Sequence, residues 1–462
     1  MPGILTILAL NQGCNAPVNN NSPAGGVAPV IVSASVQANP VNVVSAVAAV
    51  HVTGAATVRV EYGTDSLFGS ATGSVNVVGD SATIPIVGLI ASTAYRLRVV
   101  ATGTQGARSQ SQPMTFATGA LPADIPHYAV RTAGAPSPGY VMCGFTAGDT
   151  SLGGFYAVVM NNGGDIVWYR KFRTQVTDFQ RQPNGNFTVF ASLGQDDRHF
   201  YELDRLGNVV NEYRAAEGIE TGAHEVRLFE GGYVLFGRRD SVMDLAQYGG
   251  RVTMVSGEIV EYHQPGHPVL RWSTFGHLTP DEAAPDIPLN APRVDPWHLN
   301  AIEVDTDHNL LISFRNSDEI VKVDGTTGAI IWRLGGRKNQ FTFDADPLNG
   351  FSHQHGIRRL ANGHLILFDN GNLHQPPESR PVEYRIDETA RTAHLVWQYR
   401  TAPPLAAVAL GFAHRTEDGH TLVCYGTAQH LIEVDAANVE QWRLTVTSPG
   451  YFIYRAFRLS SL

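Results

Sequence analysis

One repeated unit constrains this chain more than any other feature. From about residue 125 onward the sequence cycles through a strand, a turn carrying Gly or Asn, a second strand, and a later strand carrying Trp. The turn and second strand read Asn184-Gly-Asn-Phe-Thr-Val-Phe190, Gly231-Gly-Tyr-Val-Leu-Phe236, His308-Asn-Leu-Leu-Ile-Ser313, Asn362-Gly-His-Leu-Ile-Leu-Phe368 and Asp418-Gly-His-Thr-Leu-Val423. The outer strand recurs as Gly164-Asp-Ile-Val-Trp168, Gly207-Asn-Val-Val210, Gly328-Ala-Ile-Ile-Trp332, Leu395-Val-Trp397 and Val439-Glu-Gln-Trp442. A unit of this kind cannot bury both faces of its small sheet alone, so it must stack on its neighbours. A period of roughly 50 residues built from four short strands predicts a β-propeller. Residues 125–462 hold six such blades at that spacing. The longest gap between turns predicts an insertion, His263 to Arg293, rich in Pro and Asp. The closing run Tyr451-Phe-Ile-Tyr-Arg-Ala-Phe-Arg458 is a candidate strand to complete the ring.

The preceding segment follows a different rhythm. Residues 28–119 alternate apolar and polar positions, as in Ala56–Tyr62 and Ala94–Val100, with turn signals at Gly63, Gly79-Asp80 and Gly103. Short alternating strands over such a length predict a small β-sandwich, so the fold class is all-β. Residues 1–27 hold a short apolar run, Ile4–Leu10, then Cys14 after Gly13 and a polar tract up to about Gly26. This resembles a bacterial lipoprotein leader and linker, which predicts an extracytoplasmic protein with a membrane tether through Cys14. Composition limits the functional classes. A net charge of −9 and a pI near 6.0 argue against a nucleic-acid surface. Three Cys against 17 His leave little for a disulfide scaffold and much for imidazole chemistry. Cys143 and Cys424 sit in strand-like runs and are expected to be buried thiols.

Aligned on their turns, the first strands of successive units place Asp178, His224, His298, His355 and His414 at one position. In a propeller these strands line the axis, so one rung of four histidines and Asp178 is expected to converge there. His353 lies two residues from His355 and is expected on the same side, as Asn300 is relative to His298. Arg315 follows His298 on the next strand. His263, His267 and His277 fall in the insertion and are expected to be solvated. Two chemistries suit the rung. Imidazoles can hold a metal, or one can act as a nucleophile beside cationic groups that hold an anion. The fixed donor fork of Arg315 favours the second.

Five segments then carry a resemblance: Pro296-Trp-His-Leu-Asn300, Ser313-Phe-Arg315, Trp332-Arg-Leu-Gly-Gly336, Phe351-Ser-His-Gln-His355 and Leu367-Phe-Asp-Asn-Gly371. They are similar to the arylsulfotransferase family. That resemblance implies transfer of a sulfuryl group from a phenolic sulfate ester to a phenol acceptor, without a cofactor or a nucleotide sulfate donor. It implies that His355 is the nucleophile forming a sulfohistidine, with His224, His298, Asn300 and Arg315 around the sulfuryl group. His414, Asp178 and His353 are the further candidates for substrate contact. In the N-terminal segment, Gly88-Leu-Ile-Ala-Ser-Thr-Ala-Tyr95 and Phe116-Ala-Thr-Gly119 resemble a fibronectin type III domain. Two other readings stay open. One is a non-catalytic propeller used for binding or assembly. The other is a quinone-cofactor oxidoreductase, suggested by Asp324-Gly-Thr-Thr-Gly-Ala-Ile-Ile-Trp332.

Overall fold

The computed structural model describes residues 26–194, 198–264 and 267–462. Cys14 and the run before it lie outside the described residues. Strands dominate, and the helices among the described residues are single 3₁₀ turns. The architecture is all-β and propeller-like.

Residues 30–117 form two sheets. Val30–Ala38, Ala46–Thr53 and Ser81–Ile86 make one, and the other centres on Thr57–Gly63 and Ala94–Thr102. Alternation puts Ala46, Ala48, Val50, Val58, Val60, Leu97 and Val99 into one apolar core between them. At the corner, Leu89 is fully buried and the Tyr95 hydroxyl accepts a hydrogen bond from Ile90 N at 2.9 Å.

Six mainly antiparallel sheets follow, three of four strands and three of five. Their innermost strands are Tyr451–Leu459, Thr177–Arg181, Glu220–Phe229, Leu299–Val304, His355–Arg359 and Phe412–Arg415. Each touches the next in cyclic order, and the last touches Tyr451–Leu459. That C-terminal strand pairs with Tyr140–Ala147 near the start of the ring, so chain end and chain start share one sheet. Tight turns enforce the repeat. Gly185 and Gly363 adopt φ of 86° and 83°, a region that costs other residues a steric clash. His308 takes the equivalent turn position in the fourth sheet at φ 65°. Large aromatics on the outer strands seal neighbouring sheets together. Trp168 stacks on Phe179 of the next sheet at 5.5 Å and donates to Arg205 O at 2.9 Å.

The extra length of the third sheet differs from the expected His263–Arg293 insertion. Gly232–Asp244 and Val252–Gln264 form an unusually long hairpin, and a second excursion follows Ser273. His263 belongs to a strand and stacks on Tyr233 at 4.5 Å, rather than standing in solvent. The reason is that the hairpin continues the ladder of its own sheet, which satisfies its backbone.

At the axis, pairing on the closing strand jumps from Ala456 to Ile453, leaving Tyr454 and Arg455 opposite Gly144 in a bulge. The bulge drives Arg455 inward, where it is fully buried. Its Nη1 lies 2.6 Å from Asp178 Oδ1 and 3.2 Å from Glu225 Oε1, and its Nη2 donates to Asn300 O at 2.7 Å. Glu225 also accepts from Arg358 and from Ile302 N, the latter at 2.9 Å. One cation therefore ties the closing strand to three other inner strands. Replacing Arg455 with Met leaves Asp178 and Glu225 short of a partner in a dry interior. The expected loss is about 3–5 kcal/mol of unfolding free energy, read from urea denaturation followed by Trp fluorescence. An unchanged midpoint would remove Arg455 as the axial tie.

Candidate functional site

The rung forms because inner strands bulge at one level. Register breaks fall between Thr177 and Gln180, Thr221 and Val226, Leu299 and Ala301, and His355 and Arg358, as well as at Tyr454-Arg455. A bulge re-aims side chains that a regular ladder would point into a sheet face. Asp178 and His298 take positive φ of 46° and 54°, a strained conformation for such residues. The innermost strand of the sixth sheet runs without a break, and His414 pairs regularly opposite Leu422.

Three histidines meet. The His224 ring lies 5.1 Å from His298 and 5.8 Å from His355, centroid to centroid. Tyr454 packs between, 5.7 Å from His224 and 5.4 Å from His355. Its hydroxyl sits 2.5 Å from His224 Nδ1. His355 Nδ1 lies 2.8 Å from Gly411 O, and a carbonyl can only accept, so Nδ1 carries the proton. His355 Nε2 is then the lone-pair nitrogen, and it is buried without a hydrogen-bond partner among protein atoms. Burial, and after it the charge of Arg455, holds the His355 pKa well below its ordinary value. Burial and His298 do the same to His224. His298 is fixed differently: Asp295 accepts from both His298 N at 3.0 Å and Nδ1 at 2.7 Å. Burial alone would raise the Asp295 carboxyl, but these bonds and Arg238 hold it below its usual range.

A cleft of about 360 Å³ opens beside His224 and His298. Phe190 and Phe236 give it aromatic walls, and Arg198, Arg238, Glu220 and Glu258 give it charge. The Phe236 ring stacks against His224 at 6.0 Å, and the Arg198 guanidinium lies over Phe190 at 5.2 Å. His355 is 1% exposed and sits behind this wall, in ring contact with His224.

The other expected residues divide. Arg315 hydrogen-bonds His298 O through its backbone at 3.0 Å, while its guanidinium reaches Asn316 Oδ1 at 2.7 Å and Val408 O at 2.9 Å. Asn300 is fully buried, donates to Gln354 O at 2.6 Å, and leaves Oδ1 unpartnered. Three of the expected residues stand apart from the three histidines. Asp178 is fully buried, with its oxygens engaged by Arg455, Gln180 and Val226 N, so it holds the axis. His414 stays out of the cluster because its strand does not bulge. Its Nδ1 accepts from Arg458 N at 2.9 Å, and it lines a separate cleft with Arg227, Arg358 and Phe457. His353 is buried between Asp318 and Asp286, 3.2 Å from each, and so clasps a loop instead of joining His355.

Sequence reasoning missed Tyr454, Asp295 and Glu258. Six adjoining sheets have six inner strands, and counting the closing strand as one of them would have placed Tyr454 on the rung. Among the described residues no group of three or more His, Cys, Asp or Glu is placed to hold a metal ion. Cys143 and Cys424 are buried free thiols, and burial pushes the Cys424 thiol up to about 12.

The family described as Arylsulfotransferase (ASST) matches residues 144–450. Arylsulfate sulfotransferase AssT of Escherichia coli is 26% identical over 339 residues, covering 58% of this chain and 54% of that protein. The protein of the same name from Lelliottia amnigena is 27% identical over 292 residues, covering 49% and 47%. The chain thus spans about half the length of the curated relatives it matches. Among solved structures, a protein of unknown function from Bacteroides caccae aligns with TM-score 0.45 at 13% identity, covering 70% of this chain and 99% of that one.

The buried imidazoles set a pH dependence. Below about pH 6.5 the unfolded chain binds protons that folded His224 and His355 refuse, so acid favours unfolding. Stability is expected to fall as pH drops from 7 to 5, by up to about 1.4 kcal/mol per pH unit for each such group. The slope of the urea midpoint against pH should flatten in His355→Gln. An equal slope in both proteins would show that His355 titrates normally.

Proposed function

The chain belongs to the arylsulfotransferase family, and on that premise we propose that it moves a sulfuryl group from a phenolic sulfate ester to a phenolic acceptor through a sulfohistidine at His355. The observation that carries this reading is the His355 tautomer. Its Nδ1–H is spent on Gly411 O, and its unprotonated Nε2 is left free in a dry site. A neutral imidazole is the form that attacks sulfur, and burial keeps it neutral through physiological pH. Charge builds on the sulfuryl oxygens in the transition state. In this reading His224 and His298 stabilise it at close range, the Arg315 charge, which is felt at His224, adds to them, and Asn300 braces the His355 strand through Gln354 O. The aryl ring of the donor occupies the cleft between Phe190 and Phe236, with Arg198 and Arg238 near its anionic end. No cofactor enters this scheme.

The same proposal covers the architecture and setting. The six sheets are read as six blades of one propeller over residues 125–462, and residues 28–119 as a fibronectin type III-like sandwich. The leader-like segment before residue 28, with Cys14, is read as directing export and tethering.

The test is direct. Incubating the protein with 4-nitrophenyl sulfate and a phenol, without nucleotide or metal, should release nitrophenolate only when the phenol is present. His355→Ala should lower that rate at least about 10³-fold. Unchanged turnover in the variant would remove His355 as nucleophile.

A further inference from the structure

The cleft wall holds a carboxyl that the scheme above leaves unused, Glu258, and the Asp295 carboxyl lies close enough to act on it. Glu258 lies on the third strand of the third sheet and lines the cleft with His224 and His298. It is 4% exposed, and its Oε2 is buried without any hydrogen-bond partner. Asp295, by contrast, is tied to His298 through two hydrogen bonds. We propose that Glu258 is the proton carrier of the transfer, giving its proton to the departing aryl oxygen and taking one from the acceptor phenol. This rests on the sulfuryl-transfer reading.

The bookkeeping of the step is closed. His355 Nε2 forms the N–S bond as the S–O(aryl) bond breaks with its electron pair going to the aryl oxygen. The Glu258 proton moves to that oxygen, and the carboxylate is left behind. In the second half the acceptor oxygen attacks sulfur, its proton passes to Glu258, and the N–S pair returns to Nε2.

The surroundings prepare Glu258 for this and leave His355 and His224 less suited. Arg238 faces it from the paired strand, Glu220 from the inner strand, Asp295 from the loop, and Leu299 N from the next sheet. Burial, reinforced by the Asp295 charge, holds the Glu258 pKa well above its ordinary value, so the carboxyl keeps its proton. Two nearby carboxyls with opposed protonation states are the usual mark of an acid beside a permanent charge. Asp295 is the charge and Glu258 the acid. His355 is committed to sulfur, and His224 is kept neutral by burial.

The experiment compares donors of different leaving-group strength. A nitrophenolate leaves readily without a proton, whereas an unactivated phenolate needs one. In Glu258→Gln, kcat/KM for phenyl sulfate should fall about 10²-fold or more, and the loss for 4-nitrophenyl sulfate should be at least about tenfold smaller. Glu258→Asp, which keeps the acid, should recover part of the phenyl sulfate rate. Infrared difference spectra at pH 7 should also give wild type a protonated-carboxyl band that Glu258→Gln lacks. Equal losses for both esters, or no such band, overturn the assignment of Glu258 alone. A wild-type protein that transfers sulfuryl from neither ester overturns the reaction reading and this role with it.

Discussion

The structure depends on a single buried cation. Arg455 enters the axis from the last strand of the chain and meets carboxylates from the second and third sheets and a carbonyl from the fourth. A buried charge is tolerable only when it is paired, and here the ring of inner strands supplies acceptors for both terminal nitrogens of Arg455. The arrangement works in both directions. The acceptors converge only if the ring is closed, and Arg455 rewards closure by satisfying them. Chain closure and axial electrostatics are therefore one event.

That cation also shapes the chemistry above it. Arg455 is among the charges that disfavour protonation of His224 and His355, with burial the larger cause. Neutral imidazoles then sit beside a charged layer in which Arg455 is paired with Asp178 and Glu225. The division of labour is physical. The ion layer holds geometry, the rung above it keeps a free lone pair, and the aromatic cleft beside it offers room for a flat ring. His298 stands apart because Asp295 anchors its Nδ1, leaving Nε2 as the nitrogen available to the cleft.

Much of this was legible along the chain. The turn residues and apolar alternation announced small antiparallel sheets, since backbone sterics and side-chain period are local properties. Register then aligned His224, His298 and His355 across distant segments. The same alignment included His414 and Asp178, and there it failed for identifiable reasons. An inner-strand bulge is invisible in composition, and the sixth sheet lacks one, so His414 stays in its ladder. Asp178 carries the right position but finds Arg455, which lies on a strand 277 residues away. The extra length of the third sheet was expected at His263–Arg293, where Pro and Asp gather, and the long hairpin Gly232–Gln264 before it was not anticipated.

The amino-acid sequence by itself determined the all-β repeat, the residue types on the axial rung and their family likeness, because turns, strands and period are written in short stretches. The tertiary structure alone decided which histidines touch, which nitrogen of His355 is bare, and that burial pushes the Glu258 pKa up while hydrogen bonds from His298 hold Asp295 down against its own burial. Those outcomes follow from burial and from charges brought together across the ring, and no local stretch of chain contains either.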